Sequence, residues 1–319
     1  MQKPIIMRPA YRYGAMTPWG GSKLKTVFGK DIPDERTGEA LEISAIKGLE
    51  SKSEDGRTLT EILSSGGAEI WGSEVKPPFP MLLKFIDARE DLSVQVHPND
   101  EYSGRVEGKL GKTEAWHILS CDEGAQLVYG ILPGTTPEML RKASYEGAAI
   151  EKYLRRVTVH AGETYFIPAG MVHAIGKGIL LYEIQQSSDV TYRFYDYGRK
   201  DKNGNERELH REKALDVTDL SLALDAVKPT KTPIAGGSAE TLVDCDIFTL
   251  TRLDIDGNAE IAECPKAFRF LSVLSDMRLA GEDYSELLPK GTSVFIPAGC
   301  GKLTLSGKGF ALVSAPKTR

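Results

Sequence analysis

Residues 162–173, GETYFIPAGMVH, decide the fold class, because a short strand-like run ends there in a proline that is followed two positions later by a glycine. A strand that meets Pro-x-Gly must turn sharply, since proline fixes φ and glycine reaches backbone angles that are closed to other residues. Residues 291–302, GTSVFIPAGCGK, repeat this pattern with the same Phe-Ile-Pro-Ala-Gly. The repeat predicts two related β-domains in one chain.

The rest of the chain is typical of a mainly β protein. Apolar runs such as residues 81–86, 92–96 and 179–184 are short, and glycine- or proline-containing turns separate them. Many short strands joined in this way favour a sandwich or a barrel.

Only a few short helices are expected. Thr136, Pro137 and Glu138 form a cap, a first-turn proline and an acidic first turn, which predicts a helix over residues 136–145. The other predicted helices cover residues 58–63, 149–156 and 208–216.

A domain boundary is expected in the segment KPTKTPIAGG at residues 228–237, which is rich in proline, glycine and lysine. The predicted domains are therefore residues 1–228, which contain the short helices, and residues 229–319.

The pattern G-x5-P-x-G-x2-H that ends at His173 resembles the second sequence motif of the cupin superfamily. This resemblance implies two cupin-type β-barrels of jelly-roll-like form, and it makes His173 a metal ligand that projects into the first barrel. The first cupin motif normally carries His-x-His. Residues 93–98 read SVQVHP, so Gln95 stands at the first histidine position and His97 at the second.

Strand periodicity predicts one shared site. Gln95 and His97 are two positions apart, so their side chains lie on the same face of a strand. The same period places Lys112, Glu114 and Trp116 on one face of the next predicted strand. These two faces bring a histidine and a carboxylate toward the turn motif.

Two imidazoles and a carboxylate, here His97, His173 and Glu114, are a familiar ligand set for catalytic zinc. Gln95 can add an amide oxygen as a fourth ligand, and one zinc ion per chain is expected. Iron or manganese would suit the same nitrogen and oxygen ligands. In the second repeat Lys302 takes the position of His173, and a charged ammonium does not bind metal, so the second domain is expected to lack a metal site. The remaining histidines are expected outside the site: His117, His160 and His210.

Composition excludes several function classes. A net charge of −5 and an isoelectric point near 5.7 argue against general binding to nucleic acids or membranes. The four cysteines are scattered, the N-terminus lacks a signal-peptide pattern, and no apolar run is long enough to span a bilayer. We expect a cytoplasmic protein that is a monomer or a weak homodimer and acts on a small molecule.

Five motifs resemble the type I phosphomannose isomerases, in their short bacterial form. They are WGG at residues 19–21, QVHPND at 95–100, GKTEAW at 111–116, the IPAG turn with HAIG at 167–176, and EIQQSSDVTYRFYDYGR at 183–199. The last segment is dense in hydroxyl, amide and charged groups, as expected for recognition of a sugar phosphate. The resemblance implies a zinc-dependent interconversion of mannose 6-phosphate and fructose 6-phosphate through an enediolate.

The resemblance also implies roles for individual residues. Arg193 and Lys112 fall on the catalytic arginine and lysine of the family, and Trp19, Glu183 and Asp196 are expected to contact the substrate. The base that moves the proton between C1 and C2 stays open among a lysine, a zinc-bound hydroxide and Glu183. Two alternatives are another metal-dependent cupin enzyme that acts on a sugar phosphate and a non-catalytic sugar-binding paralogue.

Overall fold

Antiparallel β-strands are the main secondary structure of the protein in a computed structural model that describes residues 2–200 and 203–318. The strands are β1 Ile5–Arg8, β2 Ala10–Tyr13, β3 Thr37–Ile43, β4 Lys52–Ser53, β5 Met81–Ala88, β6 Val94–Val96, β7 Glu114–Cys121, β8 Gln126–Ile131, β9 Leu154–Thr158, β10 Thr164–Ile167, β11 His173–Ile175, β12 Ile179–Gln186, β13 Tyr192–Tyr195, β14 Lys231–Ile234, β15 Gly237–Asp244, β16 Phe248–Ile261, β17 Arg269–Val273, β18 Met277–Gly281, β19 Tyr284–Leu288, β20 Ser293–Ile296 and β21 Leu303–Pro316. The α-helices are α1 Lys23–Phe28, α2 Leu59–Ser65, α3 Ala68–Trp71, α4 Asp100–Val106, α5 Pro137–Tyr145 and α6 Arg211–Val217, and 3-10 helices cover Gly147–Tyr153 and Ala298–Cys300.

The strands form three sheets. A six-stranded sheet has the order β10-β7-β12-β5-β3-β2, and a five-stranded sheet has the order β13-β6-β11-β8-β9. A ten-stranded sheet runs β14-β15-β16-β21-β17-β20-β1-β4, with the hairpin β18-β19 attached to β21. The N-terminal strand β1 therefore pairs with β20 of the second repeat rather than with its sequence neighbours.

The six-stranded sheet is the central layer, because both of its faces are covered. Its strands β5 and β12 are buried along their whole length. Phe85 points into a core shared with the ten-stranded sheet. The next residue, Ile86, points into a core shared with the five-stranded sheet. This alternation explains why β5 carries apolar side chains on both faces rather than one apolar and one polar face.

The sequence-predicted fold class is confirmed, but the barrels are not closed. In the part of the chain that is described, the three sheets keep free edges and stack in layers instead of joining edge to edge. The two repeat strands β10 and β20 both end directly before the proline of Pro-Ala-Gly. The first glycines of the repeats, Gly162 and Gly291, have nearly equal φ values of 92° and 88°. The turns then differ, since Gly170 has φ 92° and Gly299 has φ −81° within a 3-10 helix.

The four predicted helices each have a helical counterpart in the structure, whereas α1, α3 and α4 were not predicted. Helix α5 begins as predicted, with the Thr136 hydroxyl accepting a hydrogen bond from the backbone of Met139 at 3.3 Å. The helix predicted over residues 149–156 is wrong in its second half, where β9 begins at Leu154 because this segment pairs with β8. Along the described chain no helix combines the length and apolar character needed to cross a membrane.

His117 on β7 lies where the central sheet meets the second repeat. Its ring is buried against Phe310, and its Nδ1 lies 2.9 Å from the Thr164 hydroxyl. Burial, and then the positive charge of Arg252, lower the pKa of His117 from 6.5 to about 4. The histidine is therefore neutral in the folded protein at neutral pH.

Because the folded-state pKa of His117 is depressed, its stabilising contribution is present above pH 6.5 and is lost as the pH falls toward 4. We expect the free energy of unfolding to drop by about 2 kcal/mol between pH 7.5 and pH 5 from this group alone. Urea unfolding at the two pH values measures the drop, and His117→Gln should reduce it by that amount. An equal drop in the free energy of unfolding in His117→Gln would show that His117 is not the group responsible.

Candidate active site

Three buried side chains converge between the five-stranded and six-stranded sheets. Glu114 is the first residue of β7, His173 is the first residue of β11, and His97 directly follows β6. Glu114 Oε2 lies 3.5 Å from His97 Nε2, and Glu114 Oε1 lies 3.4 Å from His173 Nε2. All three side chains are at most 1% exposed. The structure thus brings together the three residues that the sequence predicted as metal ligands.

The protonation states of this cluster suit a metal ion. His173 Nδ1 lies 2.8 Å from the carbonyl oxygen of Met171, so it carries the proton and the lone pair of Nε2 faces Glu114. Burial lowers the pKa of His173 to about 4 and that of His97 well below its usual value, which keeps both rings neutral. Burial raises the pKa of Glu114 to about 7, although the ammonium group of Lys112 lies 3.0 Å from its Oε2. Two neutral imidazoles and a buried carboxylate fit one divalent metal ion.

Gln95 and Lys112 border the cluster. Gln95 Nε2 lies 3.4 Å from His173 Nε2, and a half-turn of the amide would place Oε1 there instead. Lys112 Nζ lies 3.0 Å from Glu114 Oε2 and 3.1 Å from His97 Nε2. Lys112 is not part of a strand as predicted, since β7 begins at Glu114. It lies in the preceding loop, where its backbone N–H donates to the carbonyl of Pro98.

Trp19, Glu183 and Arg193, which the sequence singled out, line the pocket above the cluster. Trp19 is buried, and its ring packs so closely on Gly38 that a Cβ there would lie 2.4 Å from it. Glu183 accepts a hydrogen bond from Trp116 Nε1 at 2.8 Å. A tryptophan wall and a carboxylate thus face the same space as the Arg193 guanidinium.

Four charged residues of the pocket wall were missed at the sequence level: Arg12, Glu39, Lys84 and Arg207. Lys84 Nζ lies 3.0 Å from Glu183 Oε1 and 3.7 Å from Glu39 Oε2, and Arg12 donates to Glu39 at 3.2 Å. Burial alone would lower the pKa of Lys84, but the two carboxylates outweigh it and raise the pKa. A lysine inside the apolar run MLLKFI was the available signal, because a buried lysine needs a charged partner.

Asp196 is placed differently from the expectation. It is buried and does not line the pocket among the described residues, because its carboxylate is occupied by two arginines. Arg207 donates to both of its oxygens at 2.6 and 2.5 Å, and Arg199 donates to Oδ1. Asp196 thus holds Arg207 at the pocket wall, and the substrate-binding role expected for Asp196 stays a prediction.

The C-terminal part of the chain, after residue 228, packs against the central sheet and does not line the pocket among the described residues. Every residue that lines the pocket lies between Arg12 and Arg207 in the sequence. Lys302, at the position equivalent to His173, is 64% exposed and pairs with Glu260 at 2.8 Å.

The fold and the cluster together define a cupin-type protein with a candidate site for one divalent metal ion. Mannose-6-phosphate isomerase ManA of Bacillus subtilis is 36% identical to this chain over 318 residues, which cover 98% of each protein. The mannose-6-phosphate isomerase of Streptococcus mutans is 37% identical over 286 residues, or 88% of each protein. The chain belongs to the type I phosphomannose isomerase family.

Family models and solved structures agree with this membership. The model of the type I phosphomannose isomerase catalytic domain matches residues 12–113, and the model of the mannose-6-phosphate isomerase cupin domain matches residues 238–316. The crystal structure of the Bacillus subtilis mannose 6-phosphate isomerase superposes with a TM-score of 0.91 at 36% identity, covering 98% of this chain and 99% of that one. A putative mannosephosphate isomerase from Archaeoglobus fulgidus, at 22% identity, shares the fold over the whole of both chains with a TM-score of 0.81.

Proposed function

We propose that the protein is a zinc-dependent aldose–ketose isomerase that interconverts mannose 6-phosphate and fructose 6-phosphate. The observation that carries this proposal is the buried cluster of His97, Glu114 and His173, which contacts two residues of the pocket wall: Lys112 lies 3.0 Å from Glu114, and Gln95 lies 3.4 Å from His173. Arg193 lines the same pocket. Membership of the family supplies the substrate and the reaction.

One zinc ion per chain would be held by His97, Glu114 and His173, with the amide oxygen of Gln95 as a fourth ligand. This nitrogen and oxygen set leaves room for an oxygen of the substrate. When bound, zinc supplies a Lewis acid that polarises the carbonyl group and stabilises negative charge on O1 or O2. The neutral state of both imidazoles favours binding, because a protonated imidazole cannot ligate a metal ion.

Lys112 is the residue best placed to move a proton. Aldose–ketose isomerisation transfers a proton between C1 and C2 and exchanges hydroxyl and carbonyl at O1 and O2, through an enediolate. Lys112 Nζ lies 3.0 Å from Glu114 Oε2 and 3.1 Å from His97 Nε2. It is therefore within reach of O1 and O2 of a substrate bound at the metal site. Glu183 is less suited, since Lys84 engages Oε1 and Trp116 engages Oε2. The positive charges of Lys84 and Lys112 outweigh burial and lower its pKa, which makes it a weak base.

Arg193, Glu183 and Trp19 would position the sugar. The guanidinium of Arg193 can stabilise the charge of the enediolate, because it remains protonated at all working pH values. Glu183 can accept a hydrogen bond from a sugar hydroxyl, and the ring of Trp19 gives the pocket an apolar wall. Asp196 acts through Arg207, whose guanidinium it holds in place.

A coupled assay tests the proposed function directly. We expect conversion of mannose 6-phosphate to fructose 6-phosphate by the protein as purified, loss of most of this turnover after treatment with a chelator, and its return when zinc is added. The reason is that no protein side chain in the pocket replaces the Lewis acid. Absence of chelator-sensitive turnover would exclude the proposal. Oxygen consumption by an iron-loaded sample would favour a cupin enzyme of another class.

A further inference from the structure

The pocket has a closed end and an open end with different chemistry. At the closed end, the side chains of Glu114 and Lys112 are 0% and 7% exposed. At the open end, those of Arg12 and Arg207 are 26% and 25% exposed. A ligand that enters the pocket therefore meets guanidinium groups first and the candidate metal site last.

The sheet register connects the two ends through Arg193. Arg193 pairs with Gln95 across β13 and β6, and Gln95 pairs with His173 across β6 and β11. Because neighbouring strands lie ~4.8 Å apart, the backbones of Arg193 and His173 are separated by roughly 10 Å. Arg193 thus stands two strands away from the cluster, on the side from which a six-carbon chain could extend.

Positively charged side chains outnumber carboxylates in the lining of the pocket. Five lysine and arginine side chains line the pocket against three carboxylates, although the whole chain has a net charge of −5. Burial lowers the pKa of Arg193, and the neighbouring charges of Arg207 and Arg12 lower it further. Arg193 Nε is buried without a hydrogen-bond partner among the described residues.

Carboxylates hold Arg12 and Arg207 in place, and within the described parts of the chain each guanidinium keeps N–H donors that no side chain accepts. A guanidinium has five N–H donors. The hydrogen bond from Arg12 to Glu39 uses Nη1, and the hydrogen bonds from Arg207 to Asp196 use Nε and Nη2. Their carboxylate partners hold each side chain in one orientation, so little conformational entropy is lost when an anion binds.

We propose that Arg12 and Arg207, which line the same pocket as Arg193, form the phosphate-binding end of the pocket and select substrates that carry a phosphate at the carbon farthest from the reacting carbonyl. This assignment rests on the proposed function. Paired guanidinium forks match the oxygens of a phosphate dianion. Lys112 is not available for this role, because its ammonium group is held at the closed end by Glu114 and His97.

The test is a calorimetric titration of the zinc-loaded protein and its variants with inorganic phosphate. Loss of a charge-assisted hydrogen bond to phosphate weakens binding about 10- to 100-fold, so we expect Arg12→Gln and Arg207→Gln each to weaken phosphate binding by about that factor. KM for mannose 6-phosphate should rise in parallel, with kcat within about threefold of the parent value. Arg207→Lys keeps the positive charge but loses the planar guanidinium, so its phosphate affinity should lie between those of the parent and Arg207→Gln.

Arg199→Gln is the matched control. Arg199 donates to the same Asp196 carboxylate as Arg207 but does not line the pocket, so its loss should leave the phosphate affinity unchanged. Repeating the titration after chelation separates phosphate at the arginines, which stays bound, from phosphate at zinc. Equal phosphate affinity and equal KM in the parent and the Arg12→Gln/Arg207→Gln double variant would overturn the assignment. Failure of the parent to turn over mannose 6-phosphate would instead overturn the proposed function. The titration would still measure phosphate binding at Arg12 and Arg207.

Discussion

Glu114→Gln is expected to lower kcat/KM for mannose 6-phosphate by about 10³-fold or more and to remove most of the bound metal. A metal ion that stabilises developing charge contributes several kcal/mol, and each ~1.4 kcal/mol is tenfold in rate. Glu114 stands at the centre of the cluster, with one oxygen 3.5 Å from His97 Nε2 and the other 3.4 Å from His173 Nε2. Glutamine keeps the shape of the side chain but removes the charge that attracts the metal ion.

Metal content by mass spectrometry and steady-state kinetics measure this effect. His117→Gln is a suitable control, because His117 is a buried histidine on the same strand whose side chain points to the opposite face of the sheet. The control should keep one equivalent of zinc and its turnover at neutral pH. Full zinc content and unchanged turnover in Glu114→Gln would rule out Glu114 as a ligand.

The cluster could be predicted from the sequence because each of its members is marked by a local pattern. His173 follows a Pro-x-Gly turn. Glu114 and Trp116 are two positions apart and lie on the same face of β7, as shown by the contact of the Trp116 ring with His173. Side-chain alternation along a strand depends only on neighbouring residues. Alternation placed Gln95 with His97 and Glu114 with Trp116, and the resemblance to the cupin motifs predicted that these residues and His173 form one site.

The charged wall of the pocket could not be predicted in the same way, because it depends on pairing between distant strands. Lys84 faces Glu183 only because β5 and β12 pair in one particular register. Shifting that register by one residue would turn every side chain of the strand to the other face. Arg12 and Arg207 are 195 positions apart in the sequence, and only the tertiary fold brings them to the lining of one pocket. The pairing of β1 with β20 is equally non-local.

Lys84→Met should destabilise the protein by about 3–5 kcal/mol, the usual cost of leaving a buried charge without its partner. The side chains of Lys84 and Glu183 are 4% and 3% exposed, and their charged groups are 3.0 Å apart. Methionine fills a similar volume but leaves the Glu183 carboxylate, among the residues that the structure describes, with the Trp116 N–H as its one donor. The free energy of unfolding should be measured on metal-free protein, because bound zinc would add its own stabilisation.

Removing both charges separates this explanation from a loss of packing. In the double variant Lys84→Met/Glu183→Gln no unpaired carboxylate remains at position 183, so most of the lost stability should return. Lys142→Met, which removes an exposed pair with Glu146, should change the stability by less than ~0.5 kcal/mol. A double variant as unstable as Lys84→Met alone would show that Lys84 stabilises the sheet through its aliphatic chain rather than through its charge. The charged network along the pocket wall would then serve binding and catalysis rather than folding.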